Sequence, residues 1–144
     1  MKAHYIALFR GINVGGKNRL HMKALVGILE ENGYTGIQTH IQSGNVIFQS
    51  TSAKSKMFAR IVGAAIADRY GFQPGIVVLS AQELKKASAA NPFPKAEAES
   101  KFLHLYFLNK GPKAPDLEAL NRLKSDSESF RLIGNVFIFM RLTA

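Results

Sequence analysis

The sequence predicts an α+β fold: a ferredoxin-like βαββαβ unit followed by a second, partial βαββ repeat. Three observations lead there. Strand-like runs alternate with segments of helical periodicity in that order. The succession strand, helix, Gly-Asn hairpin occurs at 4–10, 22–32 and 37–49, and again at 102–108, 115–124 and 130–140. Gly44-Asn45-Val46 is matched by Gly134-Asn135-Val136 across the two copies. At 144 residues the chain is long enough for one domain with a real core, with subdomains expected at about 1–80 and 81–144.

Each element has its own signal. Residues 4–10 read as a strand, and a loop follows over 11–21. Met22, Leu25, Val26, Ile28 and Leu29 recur at helical spacing, and Asn32-Gly33 supplies the stop. Residues 37–42 alternate apolar and polar, and 46–48 begin the next strand. Between them Gly44-Asn45 is a two-residue hairpin signal, because both residues accept positive φ. A longer helix is expected over 54–70, with Phe58, Ile61, Val62, Ala65 and Ile66 as its apolar stripe and Gly71 at its end. Residues 76–79 are a short apolar strand. Ser80-Ala81-Gln82-Glu83 is a capping box that opens a helix through about Ala90. Pro92 and Pro94 break it. Residues 102–108 form a further strand, and Pro115 at the first helical position opens a helix to about Lys124. Residues 130–133 and 136–140 form the second hairpin about Gly134-Asn135.

In a ferredoxin-like sheet the first and second strands run parallel with the third between them. The loop 11–21, the turn Gln42-Ser43-Gly44-Asn45 and the segment Gly71-Phe72-Gln73-Pro74-Gly75 are then expected at one end of the sheet.

Composition narrows the chemistry. An apolar fraction of 47% with 20% charged residues fits a soluble globular protein. There is no cysteine, which excludes disulfide frameworks, cysteine nucleophiles and thiolate metal sites. No apolar run reaches membrane-spanning length, and Arg10 interrupts the short apolar run at the N-terminus, so no membrane association and a cytoplasmic location are expected. The net charge is +9, and residues 1–29 carry Lys2, Arg10, Lys17, Arg19 and Lys23 without a carboxylate. Such an excess attracts anions, although high charge also serves solubility alone.

The run Arg10-Gly11-Ile12-Asn13-Val14-Gly15-Gly16-Lys17-Asn18-Arg19 concentrates glycine, asparagine and cations. Residues 11–17 fit G-x-x-x-x-G-K, but Asn18 stands where the phosphate-loop motif needs a hydroxyl for magnesium. Helical periodicity begins about five residues too late, and the strand 76–79 ends in Ser80 rather than aspartate. A nucleotide-hydrolysing loop is therefore disfavoured, as is a dinucleotide fingerprint, because the run is not G-x-G-x-x-G. Two readings compete for what is left. In one, Gly15 and Gly16 amides with Arg10, Lys17 or Arg19 bind a phosphate or carboxylate, oriented by Asn13 and Asn18. In the other, Gly15-Gly16 is simply a tight turn and the asparagines satisfy loop backbone.

No other cluster competes. His4, His21, His40 and His104 lack metal-ligand spacing, so no metal and no cofactor are expected, and only His21 is placed to reach the loop as an acid–base group. Ser43 and His40 fall on opposite faces if the strand continues, so Ser43 suits a hydrogen bond at the turn better than catalysis. Tyr5, Phe9, Tyr106 and Phe107 could stack on bases in an RNA-binding sheet, but the associated basic-aromatic signature is absent.

The runs Phe9-Arg10-Gly11-Ile12-Asn13-Val14-Gly15-Gly16-Lys17-Asn18, Met22 with Leu25, Ile41-Gln42-Ser43-Gly44-Asn45-Val46-Ile47-Phe48, and Asn91-Pro92-Phe93 resemble the bacterial "domain of unknown function 1697" family. The resemblance implies a duplicated α+β domain with ferredoxin-like units and implies no activity. It marks Arg10, Asn13, Gly15, Gly16, Lys17, Asn18, Gln42, Ser43, Gly44 and Asn45 as the place for a shared site. Sequences of that family continue past the last hairpin into another helix and a basic, aromatic segment, whereas this chain stops at Arg141-Leu142-Thr143-Ala144. The last strand is then expected to be an open edge suited to pairing in a homodimer. Three functions stand in order: binding of a small anion or phosphate-bearing molecule at 10–19, binding of nucleic acid, and a transferase or hydrolase acting on a phosphorylated substrate.

Overall fold

A computed structural model of the chain describes residues 1–40 and 44–141, with 98–100 in backbone only. The chain divides into two compact units, Met1–Lys85 and Lys86–Ala144. The first contains β1 (Ala3–Arg10), α1 (Met22–Glu31), β2 (Thr35–His40), β3 (Asn45–Ser50), α2 (Ser52–Tyr70) and β4 (Gly75–Ser80). Helix α3 (Ala81–Ala89) follows and runs on past the division. The strand order is β2-β3-β1-β4 with every neighbouring pair antiparallel. That is the ferredoxin-like order read from the sequence, with β1 central and hydrogen-bonded on both sides.

Alternation along the strands decides what faces the helices. Ala7, Phe9, Val46 and Phe48 join Leu25, Ile28 and Leu29 of α1 and Phe58, Val62 and Ile66 of α2 in one buried cluster. Its centre is aromatic. Phe48 and Phe58 stack at 4.4 Å between ring centroids, and Tyr34 meets their edges at 5.4 and 4.9 Å. Such pairs add about 0.5–1.5 kcal/mol each beyond the area they bury. Helix α2 starts two residues earlier than its periodicity suggests, because the Thr51 hydroxyl accepts from the Lys54 amide and caps it. Gly71, at φ 76, ends it. The capping box at α3 forms as read: the Ser80 hydroxyl accepts from the Glu83 amide, and the Glu83 carboxylate accepts from the Ser80 amide.

Tyr34 links the core to α2 by donating its hydroxyl to the Lys54 carbonyl at 3.3 Å, while the Lys54 ammonium lies 4.8 Å from its ring centroid. Burial pushes the Tyr34 phenol above the usual tyrosine range. Above about pH 10 the unfolded chain loses this proton while the native state keeps it. The native state then binds more protons, so stability falls as pH rises. The stability difference between the natural protein and Tyr34→Phe is expected to shrink as pH climbs from 9 to 11. Denaturant titrations at a series of pH values would check it, and an unchanged difference would remove Tyr34 as the cause.

The second unit is built from a 3-10 segment (Pro94–Phe102), β5 (Leu103–Phe107), α4 (Leu117–Leu123), β6 (Glu128–Ile133) and β7 (Val136–Arg141), with strand order β5-β7-β6. This repeats β1-β3-β2 of the first unit. The last strand is therefore central, not the open edge expected; β5 and β6 are the edges. Its place is fixed because a crossover helix puts β6 one strand away from β5, leaving the gap that β7 fills. Helix α4 starts after Pro115 rather than on it, because the Asp116 carboxylate caps the Ala119 amide. The 3-10 segment was not anticipated, since the prolines around it read only as a break. Helix α4 buries no residue fully, and its Leu117 and Leu120 share an apolar groove of about 570 Å³ with Tyr106, Leu132 and Phe137. In the first unit α2 closes the corresponding face; the second unit has no counterpart of α2 among the described residues.

The two hairpins differ. Gly134-Asn135 is a two-residue turn between paired Ile133 and Val136. Asn45, by contrast, already belongs to β3 and pairs with His40, so Gly44-Asn45 is not the two-residue turn read from the sequence. Equivalent hydrogen bonds run from the Phe9 amide to the Gly44 carbonyl and from the Leu108 amide to the Asn135 carbonyl. The structural repeat thus aligns Gly44 with Asn135, one position out of step with the sequence match.

Candidate functional site

The loop after β1 is pinned at both ends. Gly11, at φ 83, turns the chain out of the strand. Ile12 and Leu20 are each 1% exposed and sit in the core of the first unit. The seven residues between them project as a small hairpin. Val14 and Lys17 form an isolated bridge, and Gly15 and Gly16 have φ of 60° and 72°. Consecutive left-handed residues at a two-residue turn are the glycine-favouring type I′ pattern. Both are exposed, as are Val14, Lys17, Asn18 and Arg19.

The asparagines hold this hairpin from within. Asn13 donates its amide to the Leu20 carbonyl and accepts from the Leu20 amide, both at 2.8 Å. Asn18 donates to the Gly11 carbonyl at 2.9 Å, and its own carbonyl accepts from the Asn13 amide at 3.0 Å. Both adopt φ 53, which asparagine tolerates better than other side chains. This is the loop-closing role for Asn13 and Asn18 that the sequence left in competition with ligand orientation. Missing from the sequence reading were Ile12 and Leu20, whose signal was only two lone aliphatic residues bracketing a polar run.

Three glycine-bearing segments meet at this end of the sheet, as the topology required. Leu8 is paired with Asn45 and Arg10 with Gly75. A Cβ on Gly44 would lie 2.6 Å from Ile12 Cδ1 and 2.7 Å from Phe9 Cβ, so glycine is what lets the loop base close on the turn. A Cβ on Gly75 would lie 3.2 Å from Arg10 Nε, so the Arg10 side chain lies along its cross-strand neighbour. Arg10 and Asn45 therefore belong to the sheet, whereas Gly15, Gly16 and Lys17 belong to the hairpin. Gln42 and Ser43 lie outside the described residues.

No carboxylate lies within ion-pair distance of Arg10, Lys17 or Arg19 among the described residues; the ion pair present there joins Arg69 to Glu31. His21 caps α1 without a side-chain hydrogen bond. Helix α1 begins at Met22, well past Lys17, so its amides are not arranged as in a phosphate loop. No group of three or more His, Asp or Glu suits a metal among the described residues. No described helix is long and apolar enough to cross a membrane. Tyr5 and Phe9 point into the helix-covered core rather than forming a base-stacking surface.

A family model described as "Protein of unknown function (DUF1697)" matches residues 1–137. The chain belongs to the DUF1697 family. The conserved bacterial protein SP0830 from Streptococcus pneumoniae has a similar structure, with a TM-score of 0.78 at 22% sequence identity, over 99% of this chain and 79% of that one. At that identity the likeness is one of fold. No curated protein matches this DUF1697 chain.

Proposed function

We propose that this protein binds a small anion, a phosphate group first among them, at the loop 10–19. Lys17 and Arg19 supply charge on the hairpin, Arg10 supplies it at the base, and the exposed Gly15-Gly16 turn supplies backbone donors. One observation carries the reading: a loop that Asn13 and Asn18 hold closed carries Lys17 and Arg19 and follows directly on Arg10, and none of the three has an ion-pair partner among the described residues. A closed loop loses little further freedom when it binds, so more of the electrostatic attraction appears as affinity. The net charge of +9 favours a second reading, in which the phosphate belongs to a nucleic acid. A phosphorylated substrate for group transfer comes third, since no acid–base pair stands at the loop among the described residues.

The test is an amide-resolved NMR titration with inorganic phosphate at low ionic strength. Saturable shifts confined to residues 10–19 and 44–45 are expected, weakened about tenfold by Lys17→Ala, the scale of one charge-assisted contact. Absence of saturable shifts there would refute the reading. An RNA or DNA oligonucleotide binding with an affinity that falls linearly in log salt would select the second reading instead.

A further inference from the structure

We propose that the first unit also carries a site for a small zwitterion, at the opposite end of its sheet from the loop. The loop rims the end where Arg10 pairs with Gly75, whereas this site lies where Tyr5 pairs with Ser80. A cavity of about 460 Å³ opens there between α2 and β4. That volume is in the range of small-molecule pockets.

The cavity follows from the sequence of α2. Ser52, Ser55, Lys56 and Ala59 are spaced as one stripe of a helix, beside the apolar stripe of Phe58, Val62 and Ile66. Its two serines and alanine leave a gap against the sheet where the neighbouring stripe fills it. The opposite wall is Tyr5, Val78, Ser80 and Glu83.

The walls carry opposite charges, both on solvent-exposed residues. Lys56 and Glu83 both line the cavity, yet neither has an ion-pair partner among the described residues. One Glu83 oxygen accepts the Ser80 amide in the capping box, which holds the carboxylate in place and leaves its other oxygen available. The Ser80 hydroxyl accepts from the Glu83 amide and keeps its own proton to donate. Ser55 lines the cavity at 6% exposure, and its hydroxyl donates to the Ser52 carbonyl, which commits its proton and leaves its lone pairs as acceptors. A cation on one wall, an anion on the other and hydroxyls between suit a molecule with one anionic group and one ammonium group. Amino acids and phosphorylated amines share that chemistry. Each charged end gains a charge-assisted hydrogen bond that water alone does not match in a half-enclosed site.

The experiment is an amide-resolved NMR titration of the full chain with four probes: O-phosphoethanolamine, glycine, inorganic phosphate and ethanolamine. A zwitterion is expected to give saturable shifts at residues 52–59 and 80–83, at least tenfold tighter than phosphate or ethanolamine. Whichever of O-phosphoethanolamine and glycine binds tighter tells a phosphorylated amine from an amino acid. Lys56→Ala and Glu83→Gln should each weaken the bound zwitterion about tenfold. Glutamine keeps the capping-box acceptor, so α3 stays formed in that variant. Lys17→Ala should leave this binding unchanged, which separates it from the loop. Equal affinity for the half-charged probes, unchanged affinity in both variants, or no saturable shifts at 52–59 would overturn the proposal.

Discussion

Phe58→Ala is expected to remove about 3–5 kcal/mol from the stability of the first unit. The side chain is 0% exposed and touches three rings at once. Its ring centroid lies 4.4 Å from Phe48, 4.9 Å from Tyr34 and 6.1 Å from Phe9. These partners come from β3, from the segment after α1 and from β1, so none can collapse into the gap without moving a whole element. The loss is then transfer free energy plus a cavity that stays open. Amide exchange of the β1 and β3 core amides reads it directly, because it isolates this unit from the other. A loss below about 1 kcal/mol would mean that the aromatic cluster relaxes far more than close packing allows.

The second large effect belongs to Gly44→Ala, expected to cost about 2–6 kcal/mol from backbone strain and overpacking together. Two penalties coincide there. The φ of 90° is one that alanine rarely adopts. The new Cβ also meets Phe9 Cβ at 2.7 Å, an atom too close to the backbone of a central strand to swing away, and Ile12 Cδ1 at 2.6 Å inside the core. Gly16→Ala is the matched control, since its φ is 72° but no atom lies within 4 Å of the added Cβ. Urea denaturation of both variants separates strain from collision. Equal costs would show that the loop base yields, and that Gly44 is there for its dihedral angle alone.

Much of the fold was legible because its elements are short and cleanly punctuated. Gly71, the Ser80–Glu83 box and Gly134-Asn135 act through local backbone chemistry, which a sequence displays openly. What misled was pairing over distance. Asn45 looks like a turn residue until Leu8 and His40 pair with it and draw it into β3. Asp116 displaced Pro115 as the start of α4 because a carboxylate that reaches the Ala119 amide outweighs a favourable φ one residue earlier. At the candidate loop, composition located the cations and glycines. It could not show that both asparagines face inward to the backbone, because that depends on Leu20 and Gly11 being folded back to meet them.

The central position of β1 bears on how the chain is made. This strand is hydrogen-bonded in the native sheet to residues 45–50 and 75–80, both synthesised after it. For several seconds at ordinary rates of synthesis it has neither partner. During that interval the nascent chain exposes an apolar, β-prone stretch, Tyr5-Ile6-Ala7-Leu8-Phe9, of the kind that aggregates. Lys2 precedes it and Arg10 closes it, and charges so placed oppose stacking of one unfinished chain on another. The Arg10 that borders the anion loop in the finished protein thus guards its own strand before the protein exists.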